Sequence, residues 1–254
     1  MMSIHIRAVL IFSLVAFSGI GQVEIGGEEP DKKEKKKERE QKKQPDEDEN
    51  PDLNSEAYAV VNWSATSRIL EPNDGLFGDT LGERANETGL NIVSYEMGFR
   101  TKIIPHLYFQ GGIGILRNGE SYINDQSDTT YNYSTRYTYI SMPLKLLYTY
   151  GDKFKVLAGA GLTPQLFSRY RMDEEWSTSG DVRDSETTQF SSGYNTFVLS
   201  AAFHVGGQVA IGNLWSLLVL PEYRIQLNSS YEKNDSFRHK AQALGLNIGL
   251  TRKF

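Results

Sequence analysis

From residue 55 to residue 254 apolar and polar side chains alternate with a period of two, in runs separated by polar insertions. Period-two alternation marks strands with two unlike faces. Eight runs stand out, at residues 57–65, 90–104, 106–116, 137–150, 153–167, 196–211, 214–227 and 240–254. The connections between them alternate in length. Three have the chemistry of tight hairpin turns, at Pro105-His106, Gly151-Asp152 and Gly212-Asn213. The other four, residues 66–89, 118–136, 168–195 and 228–239, are long and polar and are expected to be loops. Short turns at one end and long loops at the other predict an all-β fold, an eight-stranded antiparallel up-and-down transmembrane β-barrel over residues 55–254.

The faces decide between lipid and water. Val93, Tyr95, Met97, Phe99 and Ile103 alternate with Ser94, Glu96, Gly98 and Arg100. Trp215, Leu217, Val219, Tyr223 and Ile225 alternate with Ser216, Glu222, Arg224 and Gln226, and Leu244, Leu246, Ile248 and Leu250 with Ala243, Gly245, Asn247 and Gly249. An eight-stranded barrel has a narrow interior, which small and charged residues fit and a full set of large apolar ones would overfill. The apolar face is therefore expected outward, in lipid.

That places Glu96, Arg100, Lys145, Glu222 and Arg224 inside, with His204, Gln208 and Asn247 nearby. Charges withdrawn from water need partners, so these five are expected to form a lumenal network of ion pairs. Aromatics gather at the strand ends. Tyr148, Tyr150, Phe154, Trp215 and Phe254 lie near the tight turns, and Tyr137, Tyr139, Phe167 and Tyr170 near the loops, which predicts two interfacial girdles, with Tyr139 also able to point inward. Pro143, Pro164 and Pro221 fall inside strands and predict bulges.

The first 54 residues differ from the rest. Arg7, the apolar stretch Ala8 to Phe17 and the small residues Ser18, Gly19 and Gly21 predict a secretory signal over residues 1–21. Residues 22–54 mix acids and bases with almost nothing apolar, and cannot bury enough surface to offset their ordering. They are expected to be a disordered periplasmic tether; an arm that touches a partner or the cell wall is the other reading.

Composition excludes several chemistries. With no cysteine there is no disulfide, thiolate site or thiol nucleophile, and no residue to carry a lipoprotein's acyl chains. The net charge is −5 and no basic stretch is interleaved with aromatics, so nucleic acid is not expected as a partner. No two of the four histidines have ligand spacing, and Asn124, Asp125 and Asp128 lack the glycine and distal glutamate of a calcium loop, so neither a metal nor a cofactor is expected. Asp235, Ser236 and His239 form the one rim cluster that contains a histidine. They keep open a second reading, a lipid-modifying enzyme or protease at the loop rim.

The segment YISMPLKLLYTYGDKFKVLAGAGL (Tyr139 to Leu162) resembles the central hairpin of the PorT-like family of small outer-membrane barrels. PEYR (Pro221 to Arg224) and the ending LGLNIGLTRKF are similar to that family too. The resemblance spans most of residues 55–254. It implies an outer-membrane barrel with a role in protein export. Phe254, with apolar residues alternating before it, resembles the β-signal read by the barrel assembly machinery, although Arg252 departs from the alternation. The expected function is non-enzymatic, exercised through extracellular loops or within an envelope or secretion complex. The expected partners are outer-membrane lipid, the assembly machinery during insertion and a protein of such a complex.

Overall fold

The computed structural model describes residues 55–72, 86–126, 129–178, 183–232 and 237–254. The signal segment, the charged linker, Asp128 and the rim residues Asp235 and Ser236 lie outside the described residues.

Ten strands are present: β1 (Ser55–Pro72), β2 (Glu87–Ile104), β3 (Leu107–Gln126), β4 (Thr129–Ser141), β5 (Leu144–Tyr150), β6 (Phe154–Thr178), β7 (Arg183–Phe190), β8 (Phe197–Ala210), β9 (Trp215–Gln226) and β10 (Phe237–Lys253). They make eight staves, because two staves are interrupted. β4 and β5 both lie between β3 and β6 and are one stave broken at Met142-Pro143. β7 and β8 both pair with β6 and are one stave broken between Phe190 and Phe197. Each stave pairs antiparallel with its neighbours in chain order. β1 closes the ring against β10, from Glu56 opposite Lys253 to Pro72 opposite Phe237. Closure leaves the staves of the ring no free edge.

The tight turns sit where the sequence places them. His106 adopts a φ of 68°, and its Nδ1–H donates to the Thr149 carbonyl at 3.1 Å, tying two neighbouring turns together. Gly151 has a φ of 106°, and a Cβ there would stand 2.3 Å from the Phe154 carbonyl oxygen, so this turn demands glycine.

Of the three strand prolines only Pro143 interrupts its strand. Pro164 and Pro221 sit in unshifted register opposite Leu199 and Leu246, and the register shifts fall elsewhere, for example at Thr138/Tyr139. The reason lies in which neighbour each missing N–H would face. The Pro164 carbonyl accepts from Met142 N at 2.9 Å, so its donorless side faces the β4–β5 break. Pro221 lies beside Val205 and Gly206, where the β8–β9 pairing lapses. Neither position has a ladder bond to lose.

The long polar insertions are mostly strand. β3 runs to Gln126 and β4 starts at Thr129, while β6 reaches Thr178 and is matched by β7. β3, β4, β6 and β7 thus continue past the ring as a raised wall. TTYNYSTRYTY (Thr129–Tyr139) hides this from pattern reading: threonine and tyrosine favour strands, but with no lipid on either side of the wall there is no apolar face to alternate.

The apolar face points outward. On β10, Leu244 is 67% exposed and Ile248 47%, while Ala243, Asn247 and Thr251 on the other face are buried. Trp63, Met97, Phe99, Ile113, Leu146, Phe203 and Val219 continue the surface around the ring. An apolar belt on every stave far exceeds the patches that soluble surfaces carry, and lipid is its solvent. The fold is a transmembrane β-barrel.

The interior is not the apolar-free space the alternation implies. Tyr58, Val60, Leu147, Leu157, Leu218 and Leu220 form a buried cluster toward the turn end. Leu116, Tyr137, Tyr139, Tyr170 and Val198 form another toward the loop end, with Phe167 packed against it. The second cluster replaces the expected loop-end girdle. Tyr137 and Tyr139 share the parity of Ser141 and Lys145, all buried, whereas Ile140 faces out. The expected girdle at the turn end does face outward, at Tyr148, Tyr150, Phe154, Trp215 and Phe254.

Candidate functional site

Polar side chains inside the ring gather into three centres. The first starts from Arg100 on β2, which is 1% exposed. Its Nη1 donates to Gln208 Oε1 at 2.8 Å and lies 3.4 Å from Glu56 Oε2, while Nε and Nη2 both donate to Gln110 Oε1, at 3.1 and 2.9 Å. Gln110 in turn donates to Glu96 Oε1 at 3.3 Å. Glu96 meets the Lys145 ammonium at 2.8 Å and accepts from the Tyr58 hydroxyl at 2.7 Å. A Cβ on Gly112 would stand 2.3 Å from that hydroxyl, so glycine at this position on β3 leaves room for Tyr58 to reach the carboxylate.

The second centre is Glu222 on β9. Arg224, two residues along the same strand, donates to Oε1 at 2.8 Å; His204 Nε2 and Asn247 Nδ2 approach Oε2 at 2.8 and 3.0 Å. The other Arg224 nitrogen donates to Asn118 Oδ1 at 3.1 Å. Both carboxylate oxygens are engaged, as a buried carboxylate requires.

Of the five residues singled out by alternation, the structure brings Glu96 to Lys145 and Glu222 to Arg224. Arg100 pairs with neither acid but with Glu56, one residue before the first run read from the sequence. The parity Glu56, Tyr58, Val60, Asn62 was the available signal. The third centre, at the loop end, was missed altogether because its residues lay in segments read as loops. Arg68 pairs with Glu87 and, at 3.4 Å, with Glu120, whose other oxygen lies 3.7 Å from His239 Nε2. His239 is 0% exposed, its ring packed against those of Tyr137 and Tyr231 at centroid distances of 4.7 and 5.0 Å. It is interior, where the sequence reading had placed it at a loop edge.

Between the centres the two hydrophobic clusters fill the bore. Among the described residues no three histidines, cysteines or carboxylates converge as a metal site would require. What the loop end presents to solution is the wall of β3, β4, β6 and β7. Among the described residues β7 pairs only with β6, from Tyr170 opposite Phe190 to Ser177 opposite Arg183.

No family model matches the chain, and no curated protein matches it. Among solved structures it is similar to Neisserial surface protein A, with 13% identity over 79% of this chain and 97% of that one and a TM-score of 0.38. It is similar also to the outer membrane protein OprG from Pseudomonas aeruginosa (9%, 78% and 95%, 0.37) and to the outer membrane protease OmpT from Escherichia coli (9%, 81% and 98%, 0.33). Likenesses this distant carry no argument about the chain, and the barrel stands on its own strand ladder and belt.

Proposed function

We propose that the protein is a non-enzymatic outer-membrane barrel of a Gram-negative-type bacterium that works through the wall raised on its extracellular side. In this reading the tight turns and the charged linker face the periplasm, as short turns do in such barrels. The carrying observation is β7. It ends the wall with an edge paired to nothing else among the described residues, and an open edge is where an extended partner segment adds a strand. Asp184 and Glu186 on that edge discourage pairing between copies of the chain, so the edge suits a chosen partner. A protein of an envelope or secretion complex fits that role, in keeping with the PorT-like resemblance of Tyr139 to Leu162. The filled bore speaks against a pore, and the burial of His239 under two tyrosine rings speaks against a rim hydrolase built on it.

The test compares the wild type with a variant in which Asn-Gly replaces residues 174–186, shortening the β6–β7 hairpin with a favoured turn. Both should fractionate with outer membranes and migrate faster on gels when unheated. Proteins that co-purify with the wild type from detergent-extracted membranes should be lost from the variant. Identical co-purifying sets would remove the wall from consideration, and a soluble periplasmic wild type would overturn the location.

A further inference from the structure

The outer surface of β3, β4 and β6 changes character abruptly at the loop-end border of the belt. Ile115, Ile140 and Leu166 end the apolar surface there, all exposed. The next row carries Arg117 on β3, Thr138 on β4 and Arg169 on β6, in register across the strands. The row above aligns Gly119, Arg136 and Arg171. With strands about 4.8 Å apart and same-face residues about 6.8 Å apart along a strand, four guanidinium groups cover a patch the width of one lipid headgroup. A groove of about 360 Å³ runs among them, with Val93 and Thr138 in its lining.

Two of the four are already held. Arg117 lies 6.0 Å over the Tyr95 ring and donates to the Val93 carbonyl at 3.2 Å. Arg171 pairs with Asp173 at 2.8 Å. Arg136 and Arg169 make no ion pair among the described residues. Glu175 on β6 lies opposite Asn132, farther up the wall. One arginine at the rim of a membrane barrel is unremarkable, since it snorkels to the interface at little cost. Four together repel one another, and Asp173, one row farther up β6 and close to both Arg171 and Arg136, offsets only one of the four charges. A further anion between them relieves the rest, and a lipid boundary screens the repulsion less than water does. Across the ring, the corresponding border of β1 and β10 carries fewer cations, Lys240 and Arg238, with Glu71 in register with Arg238. Ser67 accepts from Gln242 at 3.1 Å, and Lys240 is paired with Glu71 at 3.5 Å.

We infer that this patch binds the phosphorylated headgroup of an outer-leaflet lipid, with its acyl chains lying on Ile115, Ile140 and Leu166. Guanidinium forks take phosphate oxygens two at a time, and arginine suits that geometry better than lysine. The apolar floor directly below commits the site to a lipid, because a free phosphate would have no use for it. The inference rests on the reading that the belt lies in the outer membrane with its loop end outward.

The full-length protein is reconstituted into phosphatidylcholine vesicles containing either phosphatidic acid, which carries a phosphomonoester, or diacylglycerol with the same chains. It is then extracted in mild detergent, and the lipids retained are counted by native mass spectrometry. Wild type should retain phosphatidic acid about thirtyfold better than R136Q/R169Q, at about fivefold per charge. Diacylglycerol should be held equally weakly by both, and inorganic phosphate should not displace the bound lipid. K102Q/K153Q, altered at the opposite border, should behave as wild type. Should R136Q/R169Q lose its heat-modifiable gel shift, R169Q alone carries the test at about fivefold. Equal retention by the variant, equal loss in K102Q/K153Q, or displacement by inorganic phosphate each overturns the lipid site while leaving the barrel reading intact. Failure of the wild type to insert at all overturns the membrane reading, and this inference with it.

Discussion

Lys145 on β5 and Glu96 on β2 meet inside the barrel at 2.8 Å although β3 stands between their strands. The pair reaches past β3 on the lumenal side, so it ties together two staves that share no ladder hydrogen bond. Lys145→Met leaves a carboxylate in the lumen with only Tyr58 and Gln110 as donors among the described residues. Removing one partner of a buried pair costs about 3–5 kcal/mol, and the 15% exposure of the Glu96 side chain places the loss toward the low end. The midpoint of the heat-modifiable gel shift should fall accordingly. The double variant Glu96→Leu/Lys145→Met should recover much of the loss, since it removes both charges. Equal loss in single and double variants would mean that the two groups are not coupled.

Glu222 offers a sharper contrast. Its carboxylate is the shared acceptor of Arg224, His204 and Asn247, so Glu222→Leu strands a guanidinium in the interior. The expected cost is again about 3–5 kcal/mol. Asp173→Leu removes a carboxylate from the wall, where its ion pair with Arg171 is open to solvent, and should stay within about 0.5 kcal/mol. If the two variants lose their gel shift at the same temperature, the lumenal centre has no structural role.

How far the sequence could be read follows from where lipid is. Along the belt, one face of each strand must be apolar, and this constraint wrote the alternation from which the eight staves and the outward set, Val93 to Leu250, were legible. Inside the bore no comparable rule applies. A lumenal position accepts Gly112, Leu218, Tyr139 or Glu222 equally well by parity, and only the neighbours decide which polar group each one meets. Parity could place both Arg100 and Glu56 in the bore, but it could not say that they meet. Above the rim both faces are in water, so β7 and the upper parts of β3, β4 and β6 were taken for loops. Pro164 and Pro221 show the same limit: a missing N–H matters only if a neighbour needs it.

Two hydrophobic clusters and three polar centres across the bore imply that ions cannot pass. Leu147, Leu157 and Leu218 are 0%, 0% and 1% exposed, so water does not reach the middle of the turn-end cluster. The purified barrel in planar bilayers should show no steady conductance at moderate voltage. Sustained openings of uniform size would mean that the packed side chains move aside together, or that several barrels enclose a pore.

The three tryptophans report on the depth of the belt. Trp63 lies on β1 opposite Leu246 and Val93 and is 60% exposed, in the middle of the apolar surface. Trp215 is at the turn-end border, where Arg252 lies 5.6 Å over its ring, the arrangement expected at a headgroup interface. Trp176 is on the wall, paired with Tyr131 and Asp184, above the lipid. Variants that keep one tryptophan and carry phenylalanine at the other two should therefore differ in quenching by phospholipids brominated at chosen depths. Trp63 should be quenched most by bromine near the chain ends, Trp215 by bromine close to the headgroup, and Trp176 by neither, while aqueous iodide should reach Trp176 most easily. A soluble barrel with this fold would reverse the result for Trp63, leaving it open to iodide and blind to brominated lipid. The order of the three positions would then contradict the belt whatever the fractionation showed.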